Sequence, residues 1–132
     1  MDASRSAVAR WTIIPFYLFA GAVHLTNPGF FVPVVPGWVP SPRTVVLATG
    51  ACEVAGAIGL AVPRIRAFAG IMLALYAVGV YPANIQHAVR DLSTGSGLGW
   101  WYHAPRLFAQ PLIVWWALLA GRVVGRPRLR AA

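Results

Sequence analysis

Residues 44–62 read TVVLATGACEVAGAIGLAV, an apolar run with one ionisable residue, Glu53, and a stop at Pro63. At 1.5 Å per residue such a run makes a helix about 28 Å long, close to the hydrocarbon thickness of a bilayer. Comparable runs lie on both sides of it, at about residues 8–25, 67–92 and 105–124. Of the 132 residues, 58% are hydrophobic and 11% charged. Soluble domains carry about 25% charged residues, and a domain of this length buries too little of its surface to hide so much apolar area. The expected fold is therefore all-α: one integral membrane four-helix bundle spanning 1–132, with the lipid bilayer as its first partner.

The segments between the runs carry further signals. From Thr26 to Pro42 five prolines exclude a regular helix, yet Phe30, Phe31 and Trp38 are interleaved with them. So long a connection suits a lid, and its aromatics suit a membrane boundary. An extracytoplasmic loop ordered against the outer half of the bundle is expected. Pro82 should kink or end the third helix. Ser93–Gly99 reads as a flexible turn, Trp100, Trp101 and Tyr102 as an aromatic belt, and Pro105 as the first turn of the fourth helix.

All eleven basic residues are Arg and stand at the ends of apolar runs, which excludes nucleic acid as a partner and points to membrane orientation. Arg without Lys, beside abundant Ala, Gly and Pro, also fits a GC-rich bacterial genome. Arg5, Arg10, Arg64, Arg66, Arg122, Arg126, Arg128 and Arg130 fall on one side, and Arg43, Arg90 and Arg106 on the other. The positive-inside rule then gives a multi-pass protein of the cell inner membrane with both termini cytoplasmic. Ala20-Gly21-Ala22 resembles a signal-peptidase site, but three further runs favour retention of the first.

Glu53 is the most informative residue. An acid that deep in a span faces the bundle or a water-filled cavity, and Gly50, Gly56 and Ala57 form a narrow face suited to packing on the same side. His24, Asn84, His87, Arg106 and Gln110 fall in the same outer half, so a polar network around Glu53 is expected, built foremost on Glu53 and Arg106. Tyr17, Trp38 and Pro82 are expected to line the pocket. The plainer alternative is helix-to-helix glue, worth about 0.6–2 kcal/mol per bond. No metal site is expected: no His/Cys pair has ligand spacing, and His24 and His87 would need Glu53 as a third ligand. Cys52, the one cysteine, reads as a small helix-packing residue. Small residues spaced by four, such as Gly70/Ala74 and Ala117/Gly121, suit close helix approach.

Several ordered motifs resemble DoxX-like membrane proteins. They are Gly21-Ala22-Val23-His24-Leu25, Val35-Pro36-Gly37-Trp38-Val39-Pro40, Gly50-Ala51-Cys52-Glu53, Tyr81-Pro82-Ala83-Asn84-Ile85 and Pro105-Arg106-Leu107-Phe108-Ala109-Gln110. The resemblance implies a DoxX-like four-helix fold and marks His24, Glu53, Pro82, Asn84, Arg106 and Gln110 as family-typical positions. Members of the wider group have been tied to thiosulfate:quinone oxidoreduction, to redox-linked membrane complexes and to receptor assembly. A lone cysteine departs from the thiol-active pattern.

The reading that follows is a polar intramembrane site for a small lipophilic ligand, with a quinone as the candidate cofactor, or a membrane subunit of a redox complex. The alternative is an accessory or assembly factor that recognises transmembrane helices of a membrane-protein partner. A homo-oligomer is a further partner to expect, and a transporter ranks last because no inverted repeat is visible.

Overall fold

The computed structural model describes residues 3–125. Four α-helices follow one another: α1 (Ala3–Thr26), α2 (Pro42–Ala61), α3 (Arg66–Thr94) and α4 (Trp100–Ala120). Two short 3-10 turns, Pro28–Phe30 and Val32–Val34, shape the long connection between α1 and α2. No strand occurs among the described residues. Three helices, α1, α2 and α3, are long and apolar enough to cross a membrane. The fourth is not among them, because His103, Arg106 and Gln110 fall within its first three turns.

The helices close into a ring in which α1 packs on α2 and α4, and α3 packs on α2 and α4. The pairs α1/α3 and α2/α4 are therefore diagonal. Glycines sit at three of the four seams: Gly21 and Gly50 between α1 and α2, Gly56 and Gly59 of α2 against Leu73 and Ala69 of α3, and Gly70 and Gly121 where α3 meets the end of α4. A methyl group at Gly21 of α1 would lie 2.8 Å from the Gly50 carbonyl oxygen of α2, so these two backbones touch directly. At the other end of the bundle a methyl on Gly70 of α3 would lie 2.8 Å from the Gly121 Cα, just beyond α4. Contacts this close are what small residues make possible between helices. Ile13, Leu60 and Leu73 fill the centre with Ala57, Ala117 and Ala120. Large apolar side chains, among them Trp11, Phe19, Phe68, Leu75, Phe108 and Leu112, point outward, while Glu53, Asn84, Asp91, His103 and Gln110 point inward.

Several boundaries differ from those expected. The first helix begins at Ala3, five residues earlier than the apolar run suggests, because its opening turns are polar but helical. The third continues through Pro82 as one helix of 29 residues. The fourth starts at Trp100, with Gly99 before it, so the expected aromatic belt is its first turn and Pro105 lies inside it. A proline within a helix frees the carbonyl four residues before it. For Pro111 that carbonyl is Leu107, and the Tyr81 hydroxyl of α3 donates to it at 3.3 Å. Cys52 is exposed on the outer face of α2 and does not pack between helices, since its neighbour Glu53 takes the inward position.

Candidate functional site

The bundle is open toward its loop end, where the α1–α2 connection folds over a cavity of about 400 Å³. Most of its wall is apolar, with Phe16, Tyr17, Phe31, Val35, Trp38 and Val80 among the lining residues. Phe31 is held over the site by stacking on the His24 ring, with centroids 3.7 Å apart and planes at 15°. The connection is tied down on its far side by Arg90 of α3, whose guanidinium donates to the Pro33 carbonyl at 2.6 Å. Phe30 and Trp38 contribute less than expected to holding it. Phe30 is 76% exposed and Trp38 79% exposed, although Trp38 still lines the cavity mouth.

Two polar groups face each other across this space. On one side Glu53 of α2, 4% exposed, accepts a hydrogen bond from the Tyr76 hydroxyl of α3 at 2.8 Å through Oε1. Its Oε2 lies 3.1 Å from His24 Nδ1 of α1. That nitrogen also lies 2.7 Å from the Ala20 carbonyl oxygen, one turn back on its own helix. One N–H cannot serve both acceptors well, and the shorter contact takes it. Oε2 is thus left without a hydrogen bond of its own. A buried carboxyl oxygen at a cavity wall with an unused lone pair is costly unless a ligand or water completes it.

On the other side Arg106 of α4 donates to the Asn84 Oδ1 of α3 at 2.5 Å and to His87 Nδ1 at 3.0 Å. Its guanidinium also sits 5.5 Å from the centre of the Tyr102 ring. Asn84 in turn donates to Gln110 Oε1 at 3.3 Å, and Gln110 donates to the Ala77 carbonyl at 2.7 Å. Arginine carries five N–H donors, of which these bonds use two. Asn84, Arg106 and Gln110 all line the cavity; His87 does not.

The single network expected around Glu53 and Arg106 is therefore two clusters. No ion pair joins these residues among those described. The reason is the ring order: α2 and α4 are diagonal, so Glu53 and Arg106 look at each other across the cavity instead of touching. The structure brings His24 to Glu53, and Asn84, His87 and Gln110 to the Arg106 side. Tyr17, Trp38 and Pro82 lie in the cavity wall.

Three participants were not found in the sequence. Tyr76 sits in an apolar stretch where nothing marks its hydroxyl as a partner of Glu53. Asp91 and His103 form the third cluster, with the Asp91 Oδ2 lying 3.0 Å from His103 Nε2, 3.2 Å from His87 Nε2 and 3.2 Å from the Leu98 backbone N–H. The i, i+4 spacing of His87 and Asp91 on α3 was the available signal for this cluster.

Residues 13–121, well over half of the chain, match the family described as "Domain of unknown function (DUF8561)". The chain belongs to that family. No curated protein and no solved structure matches it. Membership of DUF8561 attaches no activity to the cavity, so its chemistry is argued from the geometry alone.

Proposed function

We propose that the chain is a DoxX-like integral membrane protein whose cavity binds a small lipophilic ligand, with a quinone as the candidate. The observation that carries this reading is the cavity itself: about 400 Å³, apolar-walled, with polar groups on opposite sides. Ligand sites commonly combine apolar walls with a few convergent polar groups. Arg106 and Asn84 offer N–H donors suited to a carbonyl oxygen. Opposite them, the open Glu53 Oε2 can exchange a proton with a ligand oxygen, while Tyr76 holds the carboxyl through Oε1. A ring carrying an oxygen at each end would engage both sides at once.

Membrane insertion is supported by three apolar helices of spanning length and by the many large apolar side chains on the outer faces of the helices. The cell inner membrane with cytoplasmic termini follows from the Arg distribution. Reporter fusions at the two ends check it: both should give a cytoplasmic signal, and a periplasmic signal from either end overturns the topology.

A second reading rests on α4, where Phe108, Leu112 and Trp115 form an exposed row at helical spacing. Such a row suits the transmembrane helix of a partner, which is the accessory-factor alternative. Native mass spectrometry of gently purified protein separates the two. A co-purifying lipophilic molecule supports the cavity reading, and a stoichiometric second protein with an empty cavity supports the alternative.

A further inference from the structure

We propose that His87, Asp91 and His103 form a binding site for one divalent transition-metal ion of the zinc class, and that Arg106 competes with the metal for His87. One ligand atom from each of the three residues falls within 4.8 Å of the others. The contacts from Asp91 Oδ2 to the two Nε2 atoms are 3.0 Å and 3.2 Å. Metal–ligand bonds of about 2.0–2.2 Å at tetrahedral or octahedral angles place neighbouring donor atoms about 2.8–3.6 Å apart, and both contacts from Asp91 already fall in that range. Two imidazoles and one carboxylate select zinc, nickel or copper over calcium or magnesium, which take oxygen ligands.

The donor set is rigid. His87 and Asp91 lie one turn apart on α3, and His103 comes from the first turns of α4, fully buried. The turn between the helices closes over the carboxylate: the Leu98 N–H binds Oδ2, and a methyl group on Gly97 would lie 2.7 Å from the Asp91 Cγ. Gly97 also has a φ of +81°, which favours glycine there on both counts.

Tautomers decide how the metal and Arg106 interact. A guanidinium only donates, so His87 Nδ1 accepts from Arg106 and the ring proton sits on Nε2, facing Asp91. A metal on Nε2 displaces that proton, and the neutral ring must then carry a hydrogen on Nδ1, against the guanidinium. Metal-bound imidazoles ordinarily donate from this second nitrogen to a carbonyl or carboxylate. Metal binding and the Arg106–His87 bond therefore exclude each other. His103 presents no such conflict, because its Nδ1 has no hydrogen-bond partner in either tautomer. Filling the site would release one arm of Arg106, a cavity-lining residue, toward the cavity.

The test is titration of untagged, detergent-purified protein with Zn²⁺ by calorimetry and with Co²⁺ by visible absorption. One ion per chain is expected, with the weak visible bands of nitrogen and oxygen ligands. His87→Gln should weaken binding by at least about tenfold, since even outer partners of metal ligands are worth that much. Arg106→Gln should tighten it several-fold, because glutamine can accept from Nδ1–H. Absence of saturable binding overturns the site, as does a thiolate band, which would place the ion on Cys52. Binding unchanged in a folded His87→Gln overturns it too, and weaker binding in Arg106→Gln overturns the competition. The spectrum of the unaltered protein decides the ligand type even if a variant fails to fold.

Discussion

Two carboxylates are buried in this bundle, and they are treated in opposite ways. Asp91 is surrounded by donors: two imidazole nitrogens and a backbone N–H converge on one of its oxygens. Glu53 receives one firm hydrogen bond, from Tyr76, and its second oxygen is left facing the cavity beside a histidine that is already engaged. The first arrangement fixes the turn between α3 and α4 and positions Arg106 through His87. The second leaves a carboxyl oxygen open at the cavity wall. A buried polar group that is completed by its own chain stabilises and orients; one that is left incomplete at a cavity wall is where binding is to be sought.

Asp91→Ala should cost more thermal stability than Glu53→Gln or Tyr76→Phe. It strips the partner from a fully buried His103, from His87 and from the Leu98 N–H in one step. Thermal unfolding in detergent measures it, and a shift under about 2 °C would show that this cluster holds nothing together. Glu53→Gln sets the contrast. Glutamine keeps an acceptor for the Tyr76 hydroxyl, so folding and melting temperature should stay close to those of the unaltered chain. Binding of a quinone or other co-purified ligand should fall by more than about tenfold, the cost of roughly 1.4 kcal/mol of lost interaction. Equal damage to stability from both changes would erase the distinction between the two carboxylates.

Much of this was legible in the sequence, and the misses share a cause. Four apolar runs located four helices, because length and hydropathy are local properties. The inward direction of Glu53 was legible because Gly50 and Ala57 make a narrow face on the same side, and both are buried beside it. The third helix runs close to its expected 67–92 span, through Pro82, while the start of the fourth was placed five residues late at Pro105. Proline inside a helix is tolerated where a neighbouring helix satisfies the freed carbonyl, as Tyr81 does for the Leu107 carbonyl that Pro111 leaves open. The Glu53–Arg106 pair failed for a different reason. Depth along each helix is readable from residue counts, but the order of helices around the ring is not, and diagonal helices cannot pair across a cavity. Asp91 with His103 needed the geometry of the 95–99 turn, which no periodicity encodes.

The smallest effect belongs to Tyr76, and it sharpens the comparison most finely. Tyr76→Phe removes one hydroxyl and leaves the ring in place, edge-on to Tyr17 with centroids 6.4 Å apart. The main bond lost is that to Glu53 Oε1, beside a contact with the Thr49 side chain. In a bilayer such bonds are worth about 0.6 kcal/mol on average, and in soluble proteins about 1 kcal/mol. The expected loss of stability is therefore about 0.6–1 kcal/mol, far below that of Asp91→Ala. The functional effect should differ in kind from that of Glu53→Gln. Without Tyr76 the carboxyl remains but is no longer oriented, so ligand affinity should drop by a few-fold and its pH profile should move while binding persists. Conservative restoration is possible only through a hydroxyl, which makes the Phe variant the cleanest probe of orientation at this position. If Tyr76→Phe abolishes binding as completely as Glu53→Gln, the phenol touches the ligand itself, and the positioning role assigned to it here is wrong.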